Sequence, residues 1–97
     1  MFSSCAKKKA KIPDHIIPIR EFSNIITDIR LAESNNKLAV RGGQGSNNLL
    51  DSSYQLIFNI HQVKAQNVDS SFRWYAKHPD YQQEIDNYVL ENLNRLQ

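Results

Sequence analysis

The chain is poor in the residues that would tie it down covalently or break it up. It has one cysteine, three prolines and three glycines in 97 residues. A lone Cys5 excludes an intramolecular disulfide. All three glycines fall between Arg41 and Ser46, so no glycine interrupts any other segment. No apolar run approaches the roughly 18 residues that would span a bilayer. Charge of one sign is also missing. Twelve Lys and Arg face ten Asp and Glu, for a net +2, which is not the basic surface of a nucleic-acid binder. The three histidines, His15, His61 and His78, stand in separate segments without ligand spacing, so no metal or cofactor is expected.

What is present is helical periodicity. Hydrophobic residues make up 40% of the chain, with four Tyr, four Phe and one Trp to fill a small core. Ile19, Phe22, Ile25, Ile26, Ile29 and Ala32 form one stripe and predict a helix from about Pro18 to Ser34, with Pro18 at its first position. The stretch Asn35 to Asn48 is expected to be a loop. A second helix, about Leu49 to His61, turns Leu50, Tyr54, Ile57 and Phe58 inward. After a turn near Gln62 and Val63, a third runs to about Lys77 and buries Val68, Phe72, Tyr75 and Ala76. Pro79 ends it, because the residue before proline disfavours helical geometry. A fourth, about Asp80 to Leu96, presents Tyr81, Ile85, Tyr88, Val89, Leu93 and Leu96. No segment alternates with period two. The expectation is an all-α fold: a small bundle of three to four helices over residues 13–97, behind a flexible N-terminal tether of residues 1–12. Short connections late in the chain imply antiparallel neighbours.

No catalytic constellation is legible. Asp28 and Glu33 are the candidate functional acids, but five residues apart on a helix they point about 140° apart and cannot share a site unaided. Glu33 lies on the apolar stripe. It either marks where the core meets water, paired with Arg30, or contacts a partner or the basic tether. His61, near the inward stripe of its helix, reads as a satisfied core-edge residue. Arg41 to Ser46 lacks the Gly-Lys-Ser/Thr ending of a phosphate loop and follows no predicted strand. No enzymatic activity is expected. Leu31, Trp74 and Leu90 fall well off their stripes. Either central helices bury two faces, or these residues form a partner-binding surface with Arg73 beside Trp74.

The start of the chain carries two signals. Phe2-Ser3-Ser4-Cys5 has the form of a lipobox, small residues before a cysteine that is cleaved and acylated. Only four residues precede Cys5, so the charged and apolar regions of a signal peptide are missing. Two readings stay open: the native start lies upstream, or Cys5 is a plain cytosolic thiol. Lys7, Lys8, Lys9 and Lys11 make a basic patch that is either a solvated tail or is drawn to anionic headgroups.

Two blocks then carry a family resemblance. The first is Ile17-Pro18-Ile19-Arg20-Glu21-Phe22 leading into Ile26-Thr27-Asp28-Ile29-Arg30-Leu31-Ala32-Glu33. The second is Ile57-Phe58, Val63, and Val68-Asp69-Ser70-Ser71-Phe72-Arg73-Trp74-Tyr75 with Pro79, flowing into Tyr88-Val89-Leu90-Glu91-Asn92-Leu93. Together, over about residues 13 to 96, they resemble the domain-of-unknown-function 4296 family of small Bacteroidota lipoproteins. Family members carry His within the first block where this chain has Arg30, which argues further against a histidine-based site there. The resemblance implies a lipid-anchored envelope protein with Cys5 as the modified residue. It brings no established activity, cofactor or catalytic residue. In such bacteria, surface-directed lipoproteins tend to carry acidic residues soon after the cysteine. Here Ala6 and three lysines follow, which favours the periplasmic face of the outer membrane. The expected function is a protein-protein interaction module, an accessory of an outer-membrane assembly, bound to an envelope protein and held at the membrane through Cys5. A cytosolic nucleic-acid-binding helical domain, with Arg73 and Lys77 on phosphate, is the alternative; near-neutral charge counts against it.

Overall fold

Four helices build the fold in a computed structural model that describes residues 10–41 and 47–96, with side chains described for 10–36 and 50–96. They are α1 (Ile19–Arg41), α2 (Asn47–Ile60), α3 (Ala65–Ala76) and α4 (Pro79–Arg95), with no strand among the described residues. None is long and apolar enough to cross a membrane.

α1 is the spine. Contacts walk backward along it as the chain runs through α2 and α3. Glu33 meets Tyr54, Asp28 meets His61, Phe22 meets Phe72, and Ile17 just ahead of α1 meets Tyr75. α2 and α3 are therefore one descending stroke, broken at residues 61–64 and laid antiparallel to α1. They are not antiparallel to each other, as their short connection had suggested. α4 returns parallel to α1, with Tyr88 over Arg20 and Asn92 on Asn24 and Thr27.

The break has a local cause. Gln62 adopts φ 57°, and the Val63 N–H bonds back to the Phe58 carbonyl, closing α2 with a left-handed cap of the kind glycine usually supplies. At the next corner Pro79 opens α4, where its missing N–H leaves no donor unsatisfied. His78 Nδ1 donates to the Trp74 carbonyl at 2.6 Å, and its ring stacks on Trp74. That supplies a partner for one of the terminal carbonyls of α3.

The core sits low on α1. Ile16, Ile17, Phe22, Ile25, Ile26, Ile57, Val68, Tyr75, Ile85 and Val89 are buried, with Ser23, Thr27 and Ser71 among them. The hydroxyls of Ser23, Thr27 and Ser71 bond the carbonyl four residues back on their own helices, so small polar residues are accommodated where helices approach closely. Ser71 Oγ also accepts the Ile17 N–H at 2.9 Å, and Tyr75 donates to the Ile17 carbonyl at 2.6 Å. These two bonds fix the end of the Pro13–Ile16 turn to α3 before α1 begins.

Several expectations need correction. α1 does not stop at Ser34 but runs to Arg41, and α2 starts at Asn47, so most of the expected Asn35–Asn48 loop is helix. Asparagine is only mildly unfavourable inside a helix, and no glycine or proline occurs between Ile19 and Gly42. Residues 42–46 lie outside the described residues. Pro18 stands one position before α1, its carbonyl accepting the Phe22 N–H. Phe72, Ala76 and Leu96 are exposed, not buried, whereas Ile16 and Ile17, ahead of the predicted helix, are in the core. Of the expected tether, residues 1–9 lie outside the described residues. Its last part lies against the domain, with Ile12 packed on the core and the Ala10 carbonyl accepting from Tyr81.

Candidate functional site

The upper half of α1 carries the polar chemistry. Asp28 Oδ2 lies 2.7 Å from His61 Nε2, and Glu33 Oε2 accepts from the Tyr54 hydroxyl at 2.8 Å. Glu33 therefore pairs with Tyr54, not with Arg30. The 140° between the two carboxylates is respected. They flank the α1–α2 seam from opposite sides, Glu33 finding Tyr54 on α2 and Asp28 finding His61 just past its end. Antiparallel register explains both pairs, since α2 falls as α1 rises.

On one side of the seam, Asp28, Leu31, Ala32, Asn35, Asn36, Ser53, Leu56 and Ile57 line a groove of about 320 Å³. Leu31 and Leu56 are its exposed rims, at 37% and 60%, and Ile60, one turn beyond Leu56, is 65% exposed. Among the described residues, Asn36 Oδ1 is buried there with no hydrogen-bond partner. Lower on the same side, Asn24, Thr27, Asp28, His61, Asn92, Arg95 and Leu96 surround a polar groove of about 380 Å³. Thr27 is the hydroxyl nearest in sequence to Asp28, but it donates to the Ser23 carbonyl and accepts from Asn92. It is not offered to His61 as a nucleophile would be. The arrangement presents donors and acceptors for binding.

On the other side, Ile29, Glu33, Tyr54, Phe58, Val68 and Phe72 enclose about 250 Å³ where α1, α2 and α3 meet. Burial and the neighbouring Glu33 push the Tyr54 hydroxyl up to about 12. Burial alone is the main cause of the same rise at Tyr75, with Tyr81 adding to it.

The residues singled out from sequence do not converge. Leu31 and Asp28 share the α1–α2 groove, whereas Leu90 lies with Arg30 in a separate groove between α1 and α4. Arg73 is exposed and paired to Asp69 one turn back. Trp74 is not a free anchor. It packs against the core between His78, Tyr75 and Tyr81. Phe72, two residues earlier, is the aromatic left open, at 43%. α3 thus lies with its 74 side under the α3–α4 corner and its 72 side at the edge. Tyr54, Leu56 and Ile60 were missed as surface and site residues. The spacing of Tyr54 and His61, two helical turns apart, was the available signal for partners to Glu33 and Asp28. Cys5 lies outside the described residues. Among the described residues, no group of three or more His, Cys, Asp and Glu could hold a metal ion.

Fold and site define a small all-helical domain with a carboxylate-flanked helical seam. The chain belongs to the Domain of unknown function (DUF4296) family, whose model matches residues 13–97. No curated protein and no solved structure matches it.

Proposed function

We propose that this is a non-enzymatic, lipid-anchored envelope protein of a Bacteroidota cell, acylated at Cys5. It acts at the periplasmic face of the outer membrane as a protein-protein interaction module, an accessory subunit of a membrane assembly. The observation that carries this reading is the separation of two ends. Ala10 is held to Tyr81 beside the α3–α4 corner, and five residues of chain reach at most about 18 Å. An anchor at Cys5 therefore keeps that corner near the lipid. Leu31, by contrast, stands about 18 Å up α1 from Ile19, at 1.5 Å per residue. Its neighbours Leu56 and Ile60 are as exposed as apolar residues of a docking face need to be. Lys11 and Lys77 lie at the anchored end, where anionic headgroups attract them.

Expression of the full-length gene in its own host tests this. Acylation should be globomycin-sensitive, with detergent-phase partitioning lost in Cys5→Ala. Envelope partners captured by the wild type should be lost in Leu56→Ser with Ile60→Ser. A soluble protein with a free Cys5 thiol would end the envelope reading.

A further inference from the structure

We infer that the pocket where α1, α2 and α3 meet is an arginine-binding pocket that receives one arginine side chain from a partner protein segment. This rests on the interaction-module reading only for the source of the arginine.

The walls are apolar and aromatic: Ile29, Phe58, Val68 and Phe72, with Tyr54 and Glu33 at one side. Among the described residues, the sole partner of the Glu33 carboxylate is the Tyr54 hydroxyl, a neutral donor. No described cation pairs with it, and Arg30, three residues earlier, lies in the groove on the α4 side of α1. Tyr54 thus holds one carboxylate oxygen and fixes the orientation of the group, with no cation against it among the described residues. Phe72 is edge-on to Phe22 behind it and 43% open in front. The rings of Tyr54 and Phe58 lie nearly parallel, 13° apart, along the other wall.

Three requirements follow for an occupant. It must be narrow and apolar along its stem to fit about 250 Å³. It must carry positive charge at its end to meet Glu33. It gains most if that charge is planar, because a guanidinium stacks on aromatic faces while donating to a carboxylate, which an ammonium does less well. An arginine side chain meets all three. The groove on the opposite side of the seam offers such an occupant one carboxylate, Asp28, and His61 already holds it.

The test is an NMR titration of the full chain with n-butylguanidinium and with the uncharged n-butylurea. Saturable shifts are expected at Ile29, Tyr54, Phe58, Val68 and Phe72, with the urea at least about fivefold weaker. Glu33→Gln should abolish that preference with helicity intact, and Tyr54→Phe, which leaves the carboxylate in place, should retain it. A capped Leu-Arg-Leu peptide should bind more tightly than butylguanidinium. Equal binding of the urea, an unchanged preference in Glu33→Gln, or shifts centred on exposed Asp69 and Glu91 would overturn the pocket. A peptide weaker than the free ion would overturn the protein source. Failure here leaves Cys5 acylation and envelope capture untouched. Failure of those leaves the pocket standing.

Discussion

The two ends of α1 are built differently. Around its first half, α3, α4 and the segment before it close over Phe22, Ile25, Ile26, Tyr75 and Ile85, and two buried hydrogen bonds fasten Ile17. Around its second half α2 is the main neighbour, with α3 reaching it at Val68 and Phe72. No residue of α1 beyond Thr27 with a described side chain is buried, and Ile57 is the single buried one described on α2. The lower end is held by packed rings and satisfied backbone. The upper end is held by one seam flanked by two carboxylate pairs. Buried packing is concentrated where four chain segments meet, and the proposed binding surfaces lie higher on α1, along its seam with α2. A surface that must exchange solvent for a partner is drawn from the less stable region.

The sharpest way to break this contrast is Phe22→Ala. Its ring is fully buried and touches both Phe72 and Tyr75, so the substitution should remove about 3–5 kcal/mol, read by urea denaturation. An equal loss from Leu56→Ala at the upper end would show that the arm is as much core as the base. Second in size is Ser71→Ala, which strands the Ile17 N–H in a buried setting and should remove about 1–3 kcal/mol.

Alkaline unfolding sharpens the same point. Tyr54 and Tyr75 are raised from 10.0 to about 12, so folding favours their neutral phenols. That contribution is fully present below pH 10 and is lost as pH rises toward 12. Ultraviolet titration should find the Tyr75 phenolate appearing only with unfolding, and Tyr75→Phe should flatten the loss in that window.

Gln62→Gly should stabilise the molecule by up to about 1 kcal/mol, since only glycine takes a left-handed backbone without a Cβ clash. A destabilised variant would mean that the Gln62 side chain holds the corner. The smallest effect belongs to Leu56→Ser, within about 0.5 kcal/mol in the isolated protein. Hydrogen exchange of the wild type should show late exchange at Ile25 and Ile85 and earlier exchange beyond Glu33.

Much of the fold was legible. The stripe Ile19, Phe22, Ile25, Ile26 and Ile29 and the proline at 79 place helices and corners because periodicity and missing donors act locally. The end of α1 was misread because two asparagines resemble a loop in composition, yet helix continuation depends on what stops it, and nothing does before Gly42. Phe72 and Trp74 were exchanged between core and surface for a different reason. Phe72 lies on the apolar stripe and Trp74 well off it, yet which side of α3 is covered depends on where the α3–α4 corner folds. The carboxylates were visible as oddities, but not their partners, which lie 33 and 21 residues away in sequence.

By itself, then, the sequence determined that this chain is helical, where three of its four helices end, and that its fold rests on aromatic packing without disulfides, because those properties follow from local spacing and composition. Only the tertiary structure decided that α2 and α3 descend as one broken stroke, that Asp28 and Glu33 each find a separate partner, and that Phe72 rather than Trp74 is left open beside Glu33. Register between distant helices is set by how whole surfaces interlock, and no local pattern encodes it.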